Sequence, residues 1–213
     1  MADKTQNPNE KHHNDAEFAI RFMREKIMPN ARRIFLCLLA VVAVILLATT
    51  YLQRTRTARS AALAELEYAD SVEALAVVAE DHAGTEIGAK ALLRKGRMQM
   101  QTDDFIGAAT TYREFLKQYP GSRFHTAAGM GLAAALEGQG AWQEAYDAYV
   151  DVASQAQETG GNEFLAGEAW VAAGRCAEGL GDTENARLAY ENAITHGTEA
   201  IAATARQALV RVQ

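Results

Sequence analysis

The chain has 213 residues, 49% of them hydrophobic, with 21 Lys and Arg against 27 Asp and Glu, a net charge of −6. That balance excludes a protein held on nucleic acid by charge, and two cysteines in this length exclude a disulfide-built scaffold. The charge is unevenly placed: residues 1–33 hold seven basic and five acidic side chains, whereas residues 53–213 hold fourteen and twenty-two, a net of −8.

The first predicted element runs from Asp15 to Met28. Ala16, Ala19, Ile20, Met23 and Ile27 fall on one face of a helix, with Phe22 beside them, and Arg21, Arg24 and Glu25 lie opposite. Pro29 ends it. Such a helix suits a membrane surface, a cytosolic or membrane partner, or a solvated juxtamembrane position.

Residues 34–52, IFLCLLAVVAVILLATTYL, then run for nineteen positions without a charge. As a helix they span about 28 Å, the thickness of a bilayer core. Twelve of the nineteen are Leu, Ile, Val or Phe, which favours insertion by about 4–7 kcal/mol. A buried core helix seldom runs this far without a polar side chain. A cleaved signal peptide has a shorter apolar stretch close to its start. Here 33 residues precede the run, Ala48-Thr49-Thr50 is a poor cleavage site, and no lipobox surrounds Cys37. The expectation is a transmembrane signal anchor. Arg21, Arg24, Lys26, Arg32 and Arg33 before it outnumber Arg54, Arg56 and Arg59 after it. The N-terminus is therefore expected in the cytoplasm, and the remaining residues in the periplasm or another extracytoplasmic space.

After the anchor the composition is helical throughout, rich in Ala, Leu, Glu and Gln with Pro120 as its one proline. The stretch from Val72 to His82 predicts a helix whose start continues back through residues 58–69. Three longer segments then align: 90–120, 127–153 and 168–194, each a helix, a tight turn and a second helix. Gly96, Ala133 and Gly174 are the small residues of the first helices. Ala108, Ala145 and Ala186 are those of the second, followed four residues on by Tyr112, Tyr149 and Tyr190. The turns fall at Asp103-Asp104, Gly140-Ala141 and Gly181-Asp182. Finally, Glu199 to Val212 puts Ile201, Ala205, Ala208, Leu209 and Val212 on one side, as a capping helix does.

This pattern resembles the tetratricopeptide repeat. Trp170 matches the aromatic that opens the family's first helix and Pro120 the proline that closes its second, while the spacings of 37 and 41 residues imply longer connections, notably around Thr159 to Asn162. Lys95 and Gln99 depart from the apolar consensus. The resemblance implies an all-α fold: a single N-terminal transmembrane helix followed by a short tetratricopeptide-repeat α-solenoid. The expected domains are a cytoplasmic tail with an amphipathic helix (1–33), the anchor (34–52), a stalk helix with a half repeat (53–85), and three repeats with a capping helix (86–213).

The resemblance also implies a partner-binding groove made by the first helices. Its expected residues are Lys90, Leu93, Arg97 and Met100, then Met130, Ala134 and Glu137, then Glu168, Val171, Arg175 and Glu178. The carboxylate clamp found in some of the family is not implied, because Leu93, Arg97, Ala134, Glu168 and Ala172 stand at its positions and only Arg97 is competent. No histidine pair has metal-ligand spacing on a helix and no phosphate-binding glycine loop is present. No enzyme activity, cofactor, metal, nucleic acid or small-molecule substrate is expected. Cys176 beside Arg175 is the one candidate for redox sensing, although its aligned place favours a buried, inert thiol. A short polar tail, one anchor, an Ala/Ser stalk and repeats to the C-terminus resemble the ancillary inner-membrane subunits of the bacterial Sec translocon. That likeness implies a non-catalytic scaffold for protein secretion or periplasmic chaperone hand-off, with translocon subunits, exported chains or chaperones as partners. An envelope-assembly adaptor for cell-wall or outer-membrane machinery is the alternative.

Overall fold

A computed structural model describes residues 18, 20–22, 24, 28, 31–159 and 162–212 of the chain. They fall into two compact units, Met1–Ser60 and Ala61–Gln213. Most of the expected amphipathic helix lies outside the described residues; within it, the rings of Phe18 and Phe22 stack at 6.4 Å.

Helix α1, Ala31–Tyr68, is 38 residues long. It is the one described helix long and apolar enough to cross a membrane. None of its most apolar window is buried against protein. Its threonine hydroxyls bond within the helix: Thr49 Oγ1 donates to the Leu46 carbonyl (3.0 Å) and Thr50 Oγ1 to the same oxygen (2.8 Å). Those bonds remove the cost of carrying the hydroxyls into an apolar phase.

The second unit holds the end of α1 and eight further helices: α2 (Val72–Asp81), α3 (Glu86–Gln101), α4 (Phe105–Gln118), α5 (His125–Gly138), α6 (Trp142–Thr159), α7 (Glu163–Leu180), α8 (Thr183–His196) and α9 (Glu199–Leu209). From α2 onward each helix packs on the next, α3 also touches α5, and α7 also touches α9. This is a tetratricopeptide-like helical repeat solenoid, with no strand among the described residues. The capping helix ends at Leu209, short of the expected Val212, because the Arg211 and Val212 amides turn back onto the Ala208 and Leu209 carbonyls.

Small residues set the helix spacing. A Cβ on Gly96 would come 2.8 Å from the Tyr112 ring, and one on Gly131 would enter the same ring. Tyr112 is thus seated between its own repeat and the next. A second interlock recurs one repeat apart. Phe105, at the start of α4, lies under Gly138, where a Cβ would approach it to 2.5 Å; Trp142, at the start of α6, lies under Gly179, at 2.8 Å.

The three turns share one hydrogen-bond plan. The amides of Asp104, Ala141 and Asp182 donate to the carbonyls of Gln99, Leu136 and Ala177, five residues back, a Schellman closure. It requires a left-handed residue, and Gly140 (φ +74°) and Gly181 (φ +73°) supply it without strain; Asp103 takes φ +58° at the same place in the first repeat. The carboxylates of Asp104 and Asp182 then cap α4 and α8 by accepting from the Gly107 and Asn185 amides. The departure at Gln99 is explained by pairing. This side chain is buried, donates to Asp104 Oδ2 (3.1 Å) and accepts from Thr111 Oγ1 (2.7 Å), so its polar ends are satisfied inside the repeat.

Candidate partner-binding groove

The helical period places Lys90, Leu93, Arg97 and Met100 on one face of α3, Met130 and Glu137 on one face of α5, and Val171, Arg175 and Glu178 on one face of α7. Leu93 and Met100 pack partly buried on the first core cluster, Met130 on the second and Val171 on the third. Lys90, Leu93 and Arg97 come together with Arg94, Tyr112, Phe124 and Ala127 around a cavity of about 400 Å³. Arg94 and Phe124 were not anticipated. The period alone would have found Arg94, one turn from Lys90. Phe124 caps the start of α5 outside any helical pattern, so no spacing points to it.

Two of the three acidic members, Glu137 and Glu178, are already engaged, while Glu168 is exposed. Glu137 Oε2 accepts from the buried Tyr149 hydroxyl at 2.8 Å, and Arg175 of the following repeat reaches both Glu137 oxygens at 3.3 Å. One repeat on, Glu178 accepts from the Tyr190 hydroxyl at 2.7 Å and lies 3.7 Å from Arg211. The pattern recurs in the last two repeats: a tyrosine on the second helix holds a glutamate twelve residues earlier on the first helix. In the first repeat Met100 occupies the glutamate position, so Tyr112 has no such acid. Burial, followed by the hydrogen bonds to Glu137 and Glu178, pushes both phenols far above the usual tyrosine range. These hydroxyls therefore act as fixed donors.

Cys176 is fully buried beneath this network. Burial, and then the Glu137 charge, pushes its thiol up to about 12, against a weaker opposing effect of Arg175. A thiolate is thereby denied to redox chemistry at neutral pH. Alkylation by iodoacetamide at pH 8 should leave Cys176 unmodified in the folded chain and label it after denaturation; prompt labelling of folded protein would refute its burial. Because the folded value lies above the ordinary one of 9.0, the thiol's contribution to stability is complete below about pH 9 and is lost as pH rises toward 12. Among the described residues no group of His, Cys, Asp and Glu has the arrangement of a metal site.

This is the architecture of a protein-interaction scaffold. A profile for the tetratricopeptide repeat matches residues 90–122. No curated protein matches the sequence as a whole. Among solved structures, PcrH from Pseudomonas aeruginosa aligns with a TM-score of 0.50 and 21% identity over 60% of this chain and 93% of its own. PcrH in complex with the chaperone binding region of PopD gives the same score and identity, over 92% of that chain. The TPR2AB domain of yeast Sti1, in complex with pHSP90, aligns at 0.50 with 19% identity over 58% of this chain and 47% of its own. At such identities the likeness concerns the fold.

Proposed function

We propose that the protein is a non-catalytic scaffold tethered to the inner membrane through residues 34–52, holding its repeats on the exported side to assist protein secretion or hand-off to periplasmic chaperones. The observation that carries this reading is the pairing, in one chain, of a helix whose long apolar span has no protein cover and a repeat solenoid in which the first helix of the first repeat lines a cavity. Such solenoids bind extended segments or protein surfaces along that face. The domains assigned to this role are the tail (1–33), anchor (34–52), stalk and half repeat (53–85) and repeat array (86–213). Met100, Met130 and Val171 supply adaptable apolar floor, a surface suited to varied clients. Lys90, Arg94 and Arg97, beside Leu93, form a concentrated cationic pocket, while Glu137, Arg175 and Glu178 give the far end a rigid, internally neutralised rim.

Two measurements test this. An alkaline phosphatase fused after Gln213 should be active, and protease added to spheroplasts should digest the repeats; an inactive fusion with protected repeats would overturn the topology. A photocrosslinker at Met130 should capture translocon subunits, exported chains or chaperones in living cells, whereas one at Arg113 on the opposite face should not. Adducts from Arg113 alone would move the binding surface off the groove.

A further inference from the structure

We propose that the first-repeat cavity receives an acidic side chain from an extended, partly apolar segment of the partner, and that this one contact orients the partner along the solenoid. The inference rests on the groove assignment above and adds the chemistry of its occupant.

The domain carries a net charge of −8 over residues 53–213. Along the groove, however, two of the three acids are engaged from within, Glu137 by Tyr149 and Arg175 and Glu178 by Tyr190 and Arg211, while Glu168 on α7 is exposed. Around the cavity the balance is reversed. Lys90, Arg94 and Arg97 occupy positions one turn apart on α3, with Arg123 close by in sequence to the Phe124 wall. Glu86 is the acid among them, and it already meets Lys90 (3.0 Å) and Arg123 (2.6 Å). Arg94 directs Nη1 to the neutral carbonyls of Leu66 (2.6 Å) and Glu67 (3.4 Å), which leave its charge uncancelled. Arg97 is exposed and has no acidic partner within ion-pair distance among the described residues. Several cations facing one acid in a low-dielectric cleft focus a positive field.

The walls define the rest of the occupant. Leu93, Phe124, Tyr112 and Ala127 give the cavity apolar sides, so a carboxylate entering it brings neighbouring apolar side chains against them. Its volume of about 400 Å³ accommodates a side chain or two rather than a folded surface. An anionic bilayer is the less suitable ligand: a domain of net −8 is repelled by such a surface, while a short acidic segment reaches the cleft and leaves the remaining charge distant. Lys90 and Arg94 lie outside the positions of the carboxylate clamp, so the preference is for an internal acidic side chain and does not require a free chain end.

The test uses the full chain in a neutral detergent and a short fluorescent peptide, amidated at its C-terminus, alternating Asp or Glu with Leu or Phe. Its counterpart carries Asn and Gln instead. The acidic peptide should bind at least about tenfold tighter, weaken with added salt, and lose about tenfold on Arg97→Glu or Lys90→Gln but not on Lys117→Glu on α4. Equal binding of both peptides, with crosslinking from Met130 retained, would overturn the acidic preference and leave the groove standing. Binding of neither peptide and no crosslink from Met130 would overturn both. Binding of phosphatidylglycerol vesicles that is lost on Arg97→Glu, with no binding of either peptide, would reassign the pocket to lipid and overturn the proposal.

Discussion

Replacing Tyr149 with alanine should lower the stability of the repeat array by about 3–5 kcal/mol, the cost of emptying an aromatic site in a packed core. Tyr149 is 3% exposed, stands in the middle repeat and packs in the cluster that includes Ala133, Ala172 and Cys176. Its hydroxyl also holds Glu137, which in turn receives Arg175 from the next repeat. Loss of the ring thus opens a cavity and loosens the joint between two repeats. In a solenoid, where cooperativity passes only between neighbours, damage at the middle joint uncouples the ends. Tyr149→Phe keeps the ring and should cost about 1.5 kcal/mol, the low end for a hydrogen bond to a charged group, because Arg175 still partners the carboxylate. Denaturant unfolding of the full chain in mild detergent, followed by far-ultraviolet circular dichroism, reads both. An unchanged midpoint for Tyr149→Ala would mean the repeat register is wrong. Tyr68→Ala, at a side chain 84% exposed, is the control and should leave the midpoint in place.

A larger residue at Gly174 should be comparably harmful for the opposite reason. A Cβ there would enter the ring of Tyr190, and that ring is completely buried and anchored through its hydroxyl to Glu178. It has no room to retreat. Gly174→Leu should therefore cost about 3 kcal/mol, the upper end of core overpacking, more than the gain of under about 1 kcal/mol that leucine's helix propensity offers over glycine. Trimming the ring in the double variant Gly174→Leu/Tyr190→Leu should recover part of the loss, since two residues in contact do not act additively. Gly121→Ala, where nothing lies within 4 Å of the added carbon, should be close to neutral. If Gly174→Leu unfolds at the wild-type midpoint, the close approach of α7 and α8 is refuted.

Both effects trace to residues whose importance is visible in the chain itself. The small residues and tyrosines recur at 37 and 41 residues, and a period of that kind dictates helix pairs stacked on one another, because one pair cannot bury its own apolar face. The turn residues were equally legible, since a left-handed closure selects glycine or, at Asp103, an acid that tolerates it. So was the long apolar helix, whose hydroxyls bond to carbonyls three and four residues back. These features depend on local geometry or on a repeat spacing, and both are written along the sequence.

The state of the groove is a different matter. Alignment names Glu137, Arg175 and Glu178 as positions on the groove-facing helices, but whether their charges are available depends on what lies across the repeat boundary. Arg175 meets Glu137 from 38 residues away, and Tyr149 and Tyr190 meet their glutamates through hydroxyls that the alignment treats as ring packing. Likewise Phe124 reaches the first-repeat cavity from a helix start that no period marks. The sequence by itself determined the repeat helices, their pairing, the turns and the apolar span, because these follow from side-chain period and chain conformation; it did not show the break before Val72, where the Ser71 hydroxyl caps α2 and separates it from α1 instead of letting it continue back through residues 58–69. Only the tertiary structure decided which charges cancel, which remain open and where a cavity forms, because an ion pair or a pocket wall depends on distances between segments far apart in the chain.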